Sequence, residues 1–221
     1  IIRLLVDRDE GGSPRRRHGV DEPVAIEALR ALGMVIHGDP KVALTEEATE
    51  MYELFLGRGS PAPLQVCALR GLTEMIRKEE DTMLEMQQDQ LRKAGRRHSS
   101  SSSAATNQPL DSVCGEGEVS IAGTVLRYFW EKLILPLALH VEGSGAGPEE
   151  VNRANQPLKL ASLELFDSVL RQGLVAPWTA VPALCAMCAF PSDLVCHEAC
   201  RVLKTYILEK RVDFFESKLI D

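Results

Sequence analysis

The chain has 221 residues, 45% of them hydrophobic and 26% charged, with a formal net charge of −7. That is enough apolar material for a packed core, which excludes an intrinsically disordered chain, and the acidic balance excludes a protein that coats nucleic acid over its whole surface. The longest apolar candidate, 125–141, is broken by Arg127, Glu131, Lys132 and Pro136; nothing reaches the roughly 18–20 uninterrupted apolar residues of a membrane span, so a soluble protein is expected.

The opening IIRLLVDRDE carries no initiator Met and no secretory pattern. Residues 1–6 read as the end of an earlier helix and 7–22 as a loop rich in Gly, Pro and charge, so an excerpt of a longer chain is expected. Pro23 suits a first helical turn, and Ala25, Leu29, Leu32 and Ile36 continue on one stripe until Gly38, Asp39 and Pro40. Thr45, Glu46 and Glu47 mark a second start, where the helix dipole favours acidic side chains, and Met51, Leu54 and Phe55 carry the stripe to Gly57. These two helices are expected to form an antiparallel pair. Pro61 or Pro63 opens a third helix with Val66, Leu69, Leu72 and Ile76 at helical spacing, and its charged extension EEDTMLEMQQDQLRKAG stays helical on a solvated surface.

Residues 96–118 centre on HSSSSSAATNQP, a serine-rich stretch with too little apolar surface to offset the entropy of ordering, so a disordered loop open to phosphorylation is expected. The apolar helix SIAGTVLRYFWEKLILPLALHVE comes next, with Pro136 placed to kink or break it. GSGAGPEE is a second flexible loop. The last part then reads as three helical segments: Leu160, Leu163, Phe166 and Leu170, then Val181, Leu184 and Met187, then Val195, Ala199 and Leu203. The four regions are therefore 1–22, helices over 23–95, the serine-rich loop 96–118, and helices over 119–221.

Catalysis has no evident constellation. GEGEV lacks the Lys-Ser/Thr of a phosphate-binding loop, the five histidines form no metalloprotease pattern, and adjacent pairs such as Glu46–Glu47 point to different helix faces. Of six cysteines, Cys185, Cys188, Cys196 and Cys200 could supply four thiolates to zinc. Only seven residues separate the two pairs and both fall within helices, so they read as reduced, small hydrophobes of apolar faces, and no metal or cofactor is expected. His197 reads as a helix residue beside a turn. Arg15, Arg16 and Arg17 form one basic cluster; Arg92, Lys93, Arg96 and Arg97 form another. Both are candidate nucleic-acid contacts, although acidic neighbours offset much of their field. Trp178 is a candidate partner anchor, and Tyr128, Phe129 and Trp130 are weighed between anchor and core.

Helix pairing at a period of 40–47 residues indicates a HEAT-type array, an all-α solenoid in which each pair buries its faces by stacking on the next. Pro182 and Leu184, then Asp193, then Val195, Ala199 and Leu203 match that pattern, with Cys196 where a basic residue is usual. The order Gln172, Gly173, Leu174, Pro177, Val181, Pro182, Leu184, Ala186, together with EALRALGMVIHGDPKVALTEEATEMYELFL and LQVCALRGLTEMIRKEEDTM upstream, resembles the C-terminal helical-repeat region of the Nipped-B type cohesin loading factors. The resemblance covers about 25–215, apart from the serine loop and GSGAGPEE. It implies a non-catalytic, hook-shaped HEAT solenoid of the nucleus and chromosome that binds double-stranded DNA and cohesin's kleisin and ATPase heads. Such a protein promotes cohesin loading on chromatin and stimulates cohesin's ATPase in sister chromatid cohesion and loop extrusion, with consequences for the cell cycle and transcription. A generic HEAT scaffold of the condensin, transport or phosphatase type would share the fold.

Overall fold

A computed structural model describes residues 6–8, 14–16, 21–98, 120–140 and 148–209. The serine-rich run and the core of GSGAGPEE lie outside these residues, as do Arg17 and Cys114. Strand β1 (Val6–Arg8) pairs antiparallel with β2 (Pro14–Arg16), in the register Val6 to Arg16, Asp7 to Arg15 and Arg8 to Pro14. The helix tail and loop expected here are corrected to that extent: Val6 is extended, and pairing with a second segment overrides a local pattern too short to hold a helix.

Helix α1 (Glu22–Gly38) starts at Asp21 with Pro23 in its first turn and buries Ala25, Leu29, Leu32 and Ile36, the stripe read from spacing. A short 3-10 turn (Pro40–Leu44) comes next, its first turn capped by Asp39, whose side chain accepts from the Lys41 N–H at 3.1 Å. Thr45 caps α2 (Glu46–Leu56) by accepting from the Ala48 N–H at 3.3 Å. Strand β2 lies against this helix. Helix α3 (Ala62–His98) is 37 residues long and so about 55 Å from end to end. Its first half is core, while residues 81–89 are exposed. The helix includes Arg96, beyond the expected boundary at 95, and ends at His98.

Ser120 caps α4 (Ile121–Phe129) by accepting from the Gly123 N–H at 2.9 Å. The carboxylate of Glu79, reaching over from α3, accepts from the N–H groups of Ile121 and Ala122 at 3.1 and 2.7 Å, satisfying two more orphan donors of that helix start. Pro136 falls in the first turn of a new α segment, and the helical backbone is continuous but irregular ahead of it. Ahead of it the backbone widens into a π-helical turn over Trp130–Ile134, with the Leu135 N–H donating to the Trp130 carbonyl five residues back, and then runs on as α5 (Leu135–Leu139). A wider turn ahead of a proline relieves the ring's clash with the preceding turn.

Helix α6 (Pro148–Gln172) takes in Pro148, Glu149 and Glu150, the end of the expected loop. It stops at Gly173, where the backbone is left-handed (φ 69°). The Leu174 N–H donates to the Val169 carbonyl at 3.1 Å and the Gly173 N–H to the Leu170 carbonyl at 3.3 Å, a C-terminal cap that favours glycine at that position. Helices α7 (Pro177–Cys188) and α8 (Asp193–Leu203) complete the described chain, the latter running into a π-helical turn at Lys204–Leu208.

The packing is all-α over the described helices and falls into two rows. One row is α1, α3, α6 and α8, each lying on the next; the other is α2, then α4 with its π turn and α5, then α7. α1 rests chiefly on α3 rather than on α2, so the antiparallel pair expected from the first two helices is replaced by stacking within a row. The core runs between the rows through Phe55, Leu72, Phe129, Trp130, Phe166 and Leu184. Trp130 and Phe166 meet at 4.9 Å between ring centroids, and the Trp130 indole N–H donates to the Thr179 hydroxyl at 2.9 Å, tying α7 to the π turn. No described helix is long and apolar enough to cross a membrane.

Candidate partner-binding groove

A groove of about 790 Å³ runs along the first row, between α1, α3 and α6. Ile26, Leu29 and Val66 line its apolar wall. Gly33 and Gly71 face it without side chains, and Ala154 and Pro157 of α6 close its far side. A Cβ at Gly33 would meet nothing within 4 Å; one at Gly71 would meet only the Tyr52 hydroxyl at 3.5 Å. The groove exists because small residues stand where two helices of the row approach each other.

Its rim is charged. Arg30, Arg70 and Glu74 are exposed there, and Arg30 is paired with Glu27 in the same helix. Cys67 lies half-buried in the wall with its thiol toward the Ile26 carbonyl at 3.8 Å, and burial is the largest cause pushing that thiol above its ordinary range. Burial likewise raises the Tyr52 phenol beneath Gly71. The groove thus presents an apolar floor with two guanidiniums and one carboxylate at its rim.

The described residues among the candidate contacts singled out from sequence do not line the groove. Arg15 and Arg16 sit on β2 opposite Asp7 and Val6. Arg92 is exposed on the projecting part of α3, 3.9 Å from Asp89, and Lys93, Arg96 and Arg97 continue that helix. Trp178 is 57% exposed at the first turn of α7, whereas Phe129 and Trp130 are core and Tyr128 is exposed, donating to the Glu53 carboxylate at 2.7 Å. The cysteine reading needs correction: none of the five described cysteines is fully buried, Cys185 and Cys200 being exposed and Cys67, Cys188 and Cys196 half-buried. Helical spacing placed them near an apolar face, but the neighbouring helices cover only its centre. Among the described residues no group of three or more His, Cys, Asp or Glu is arranged to hold a metal ion. His197 is exposed on α8.

Comparison with known proteins yields no matching family model and no matching curated sequence.

Spacing alone did not reveal the groove, although a signal existed. Gly33 and Gly71 each interrupt an otherwise regular helical pattern, and a glycine kept inside a helix at about 1 kcal/mol relative to Ala generally has a packing or binding reason. Lys159 is a second residue that spacing missed. It is buried to 2% exposure on the core face of α6, and its ammonium donates to the Ala138 and His140 carbonyls at 2.5 Å each, satisfying the C-terminal end of α5. Desolvation lowers its pKa to about 8. Its sequence signal is a position seven residues before Phe166, on the same buried stripe.

Proposed function

We propose that the chain is a non-catalytic, HEAT-type helical-repeat segment of a cohesin loader of the Nipped-B type, and that the α1, α3 and α6 groove holds a segment of a cohesin subunit. The observation that carries the reading is the two-row packing, in which α1, α3, α6 and α8 stack in succession. Repeat arrays use such continuous rows as extended binding surfaces. The residues that carry the resemblance occupy helix ends and faces: Gly173 and Leu174 form the cap of α6, Pro177 opens α7, Val181, Pro182 and Leu184 lie within α7, and Val195 and Ala199 are buried on α8. The proposed partners are cohesin's kleisin and ATPase heads together with double-stranded DNA on nuclear chromosomes, with the exposed Arg92 as a candidate DNA contact.

The test measures DNA-stimulated ATP hydrolysis by purified cohesin, with the parent protein intact and with residues 23–215 replaced by unrelated helical repeats. Loss of stimulation, with the remainder folded, is the expected result. Unchanged stimulation leaves the chain a generic helical scaffold, a reading that the uncommitted chemistry of the groove also fits.

A further inference from the structure

Four thiols gather where α7 and α8 pack together, and the proposed binding function uses none of them. Cys185 and Cys188 stand three residues apart on α7; Cys196 and Cys200 stand four apart on α8. The Sγ atoms of Cys188 and Cys200 lie 3.4 Å apart across the helix pair. Cys188 is half-buried and Cys200 is exposed, so one sulfur is sheltered while the other meets solvent.

Geometry selects among the pairings. Residues three or four apart on one helix hold their Cβ atoms about 5–6 Å apart, whereas a disulfide needs about 3.5–4.5 Å. Cys185 with Cys188 and Cys196 with Cys200 therefore start from longer Cβ separations than a disulfide holds. The cross-helix pair is already in sulfur contact at 3.4 Å, against a bonded distance of about 2.05 Å.

We propose that Cys188 and Cys200 form a redox modification site, which a hydroperoxide converts into a disulfide stapling α7 to α8. In the first step the Cys200 sulfur attacks a peroxide oxygen. An S–O bond forms, the O–O bond breaks, and the departing hydroxide takes up the thiol proton as water, leaving a sulfenic acid. In the second step the Cys188 sulfur attacks that of Cys200. The S–S bond forms, the S–O bond breaks, and hydroxide leaves with the Cys188 proton as a second water. Each sulfur is oxidised by one electron overall, and the peroxide is reduced by two. Burial first, and then the neighbouring Cys200, push the Cys188 thiol up to about 12, which leaves Cys200, the exposed sulfur, as the one that meets the peroxide first.

The experiment treats the intact chain with hydrogen peroxide, alkylates the remaining thiols, and maps peptides without reduction. The expected result is a Cys188–Cys200 linked peptide and loss of two of the six alkylatable thiols. The link persists in the Cys185→Ser, Cys196→Ser double variant and disappears in Cys200→Ser, whose exposed position leaves the helical circular dichroism unchanged. A link through Cys185 or Cys196, a link between two chains, or alkylation of all six thiols after peroxide would overturn the proposal.

Discussion

Within the row of α1, α3, α6 and α8, the contacts at the two ends differ. Where α1, α3 and α6 meet, the facing positions are Gly33, Gly71, Ala154 and Pro157, and a groove remains. Where α6 meets α8, Val195, Ala199 and Val202 are buried, and Arg201 bridges to Asp167 at 2.8 Å. The same stacking of helices yields an open surface in one place and a closed seam in the other. Side-chain volume at a few facing positions decides which, because helix axes in contact settle at about 8–10 Å and cannot close further over glycine without clashing elsewhere.

Four substitutions would break or sharpen that contrast. Phe166→Ala removes a fully buried ring beneath the closed end and should destabilise by about 3–5 kcal/mol in denaturant unfolding; a loss below about 1 kcal/mol would mean that the closed end is not packed as described. Lys159→Met leaves the Ala138 and His140 carbonyls without their donor and should cost about 1–3 kcal/mol near neutral pH. That difference carries a pH signature. The folded pKa of about 8 lies below the ordinary lysine value, so between the two the unfolded chain binds more protons and the wild type gains stability as pH rises. Unfolding curves taken from neutral pH up to the ordinary lysine range should show the gap between wild type and Lys159→Met widening once pH passes about 8; a constant gap would show that the amine titrates normally. At the open end, Gly33→Ala should stabilise by up to about 1 kcal/mol, since its Cβ meets nothing, and a measured loss would mean that the groove is filled. Arg201→Ala should cost under about 1 kcal/mol and the cost should shrink in high salt, because the guanidinium is 41% exposed; double-mutant cycles with Asp167→Ala read the coupling directly.

Much of the fold was legible residue by residue. The stripe Ala25, Leu29, Leu32 and Ile36 is buried as spacing predicts, Thr45 caps α2, and Gly173 turns the chain with the left-handed φ that a glycine after a helix suggests. Val66 and Leu160 belong to correctly read stripes and yet are only partly covered, Val66 because it lines the groove. The groove was not legible, since Gly33 and Gly71 lie far apart in the chain and come to line one groove only through packing. Nor was the Glu79 cap on α4, or the contact of Cys188 with Cys200 across two helices.

By itself the sequence determined the helices, most of their ends and which stripe each would bury, because those features depend on neighbours three or four residues apart. Only the tertiary structure decided which stripe became groove and which seam, and that a lysine would reach carbonyls 19 and 21 residues away. It also decided that Gln172 would bond the Ile76 carbonyl across 96 residues. Local spacing sets how a helix forms; which helix lies against it depends on the volume and charge of residues that the linear order keeps apart.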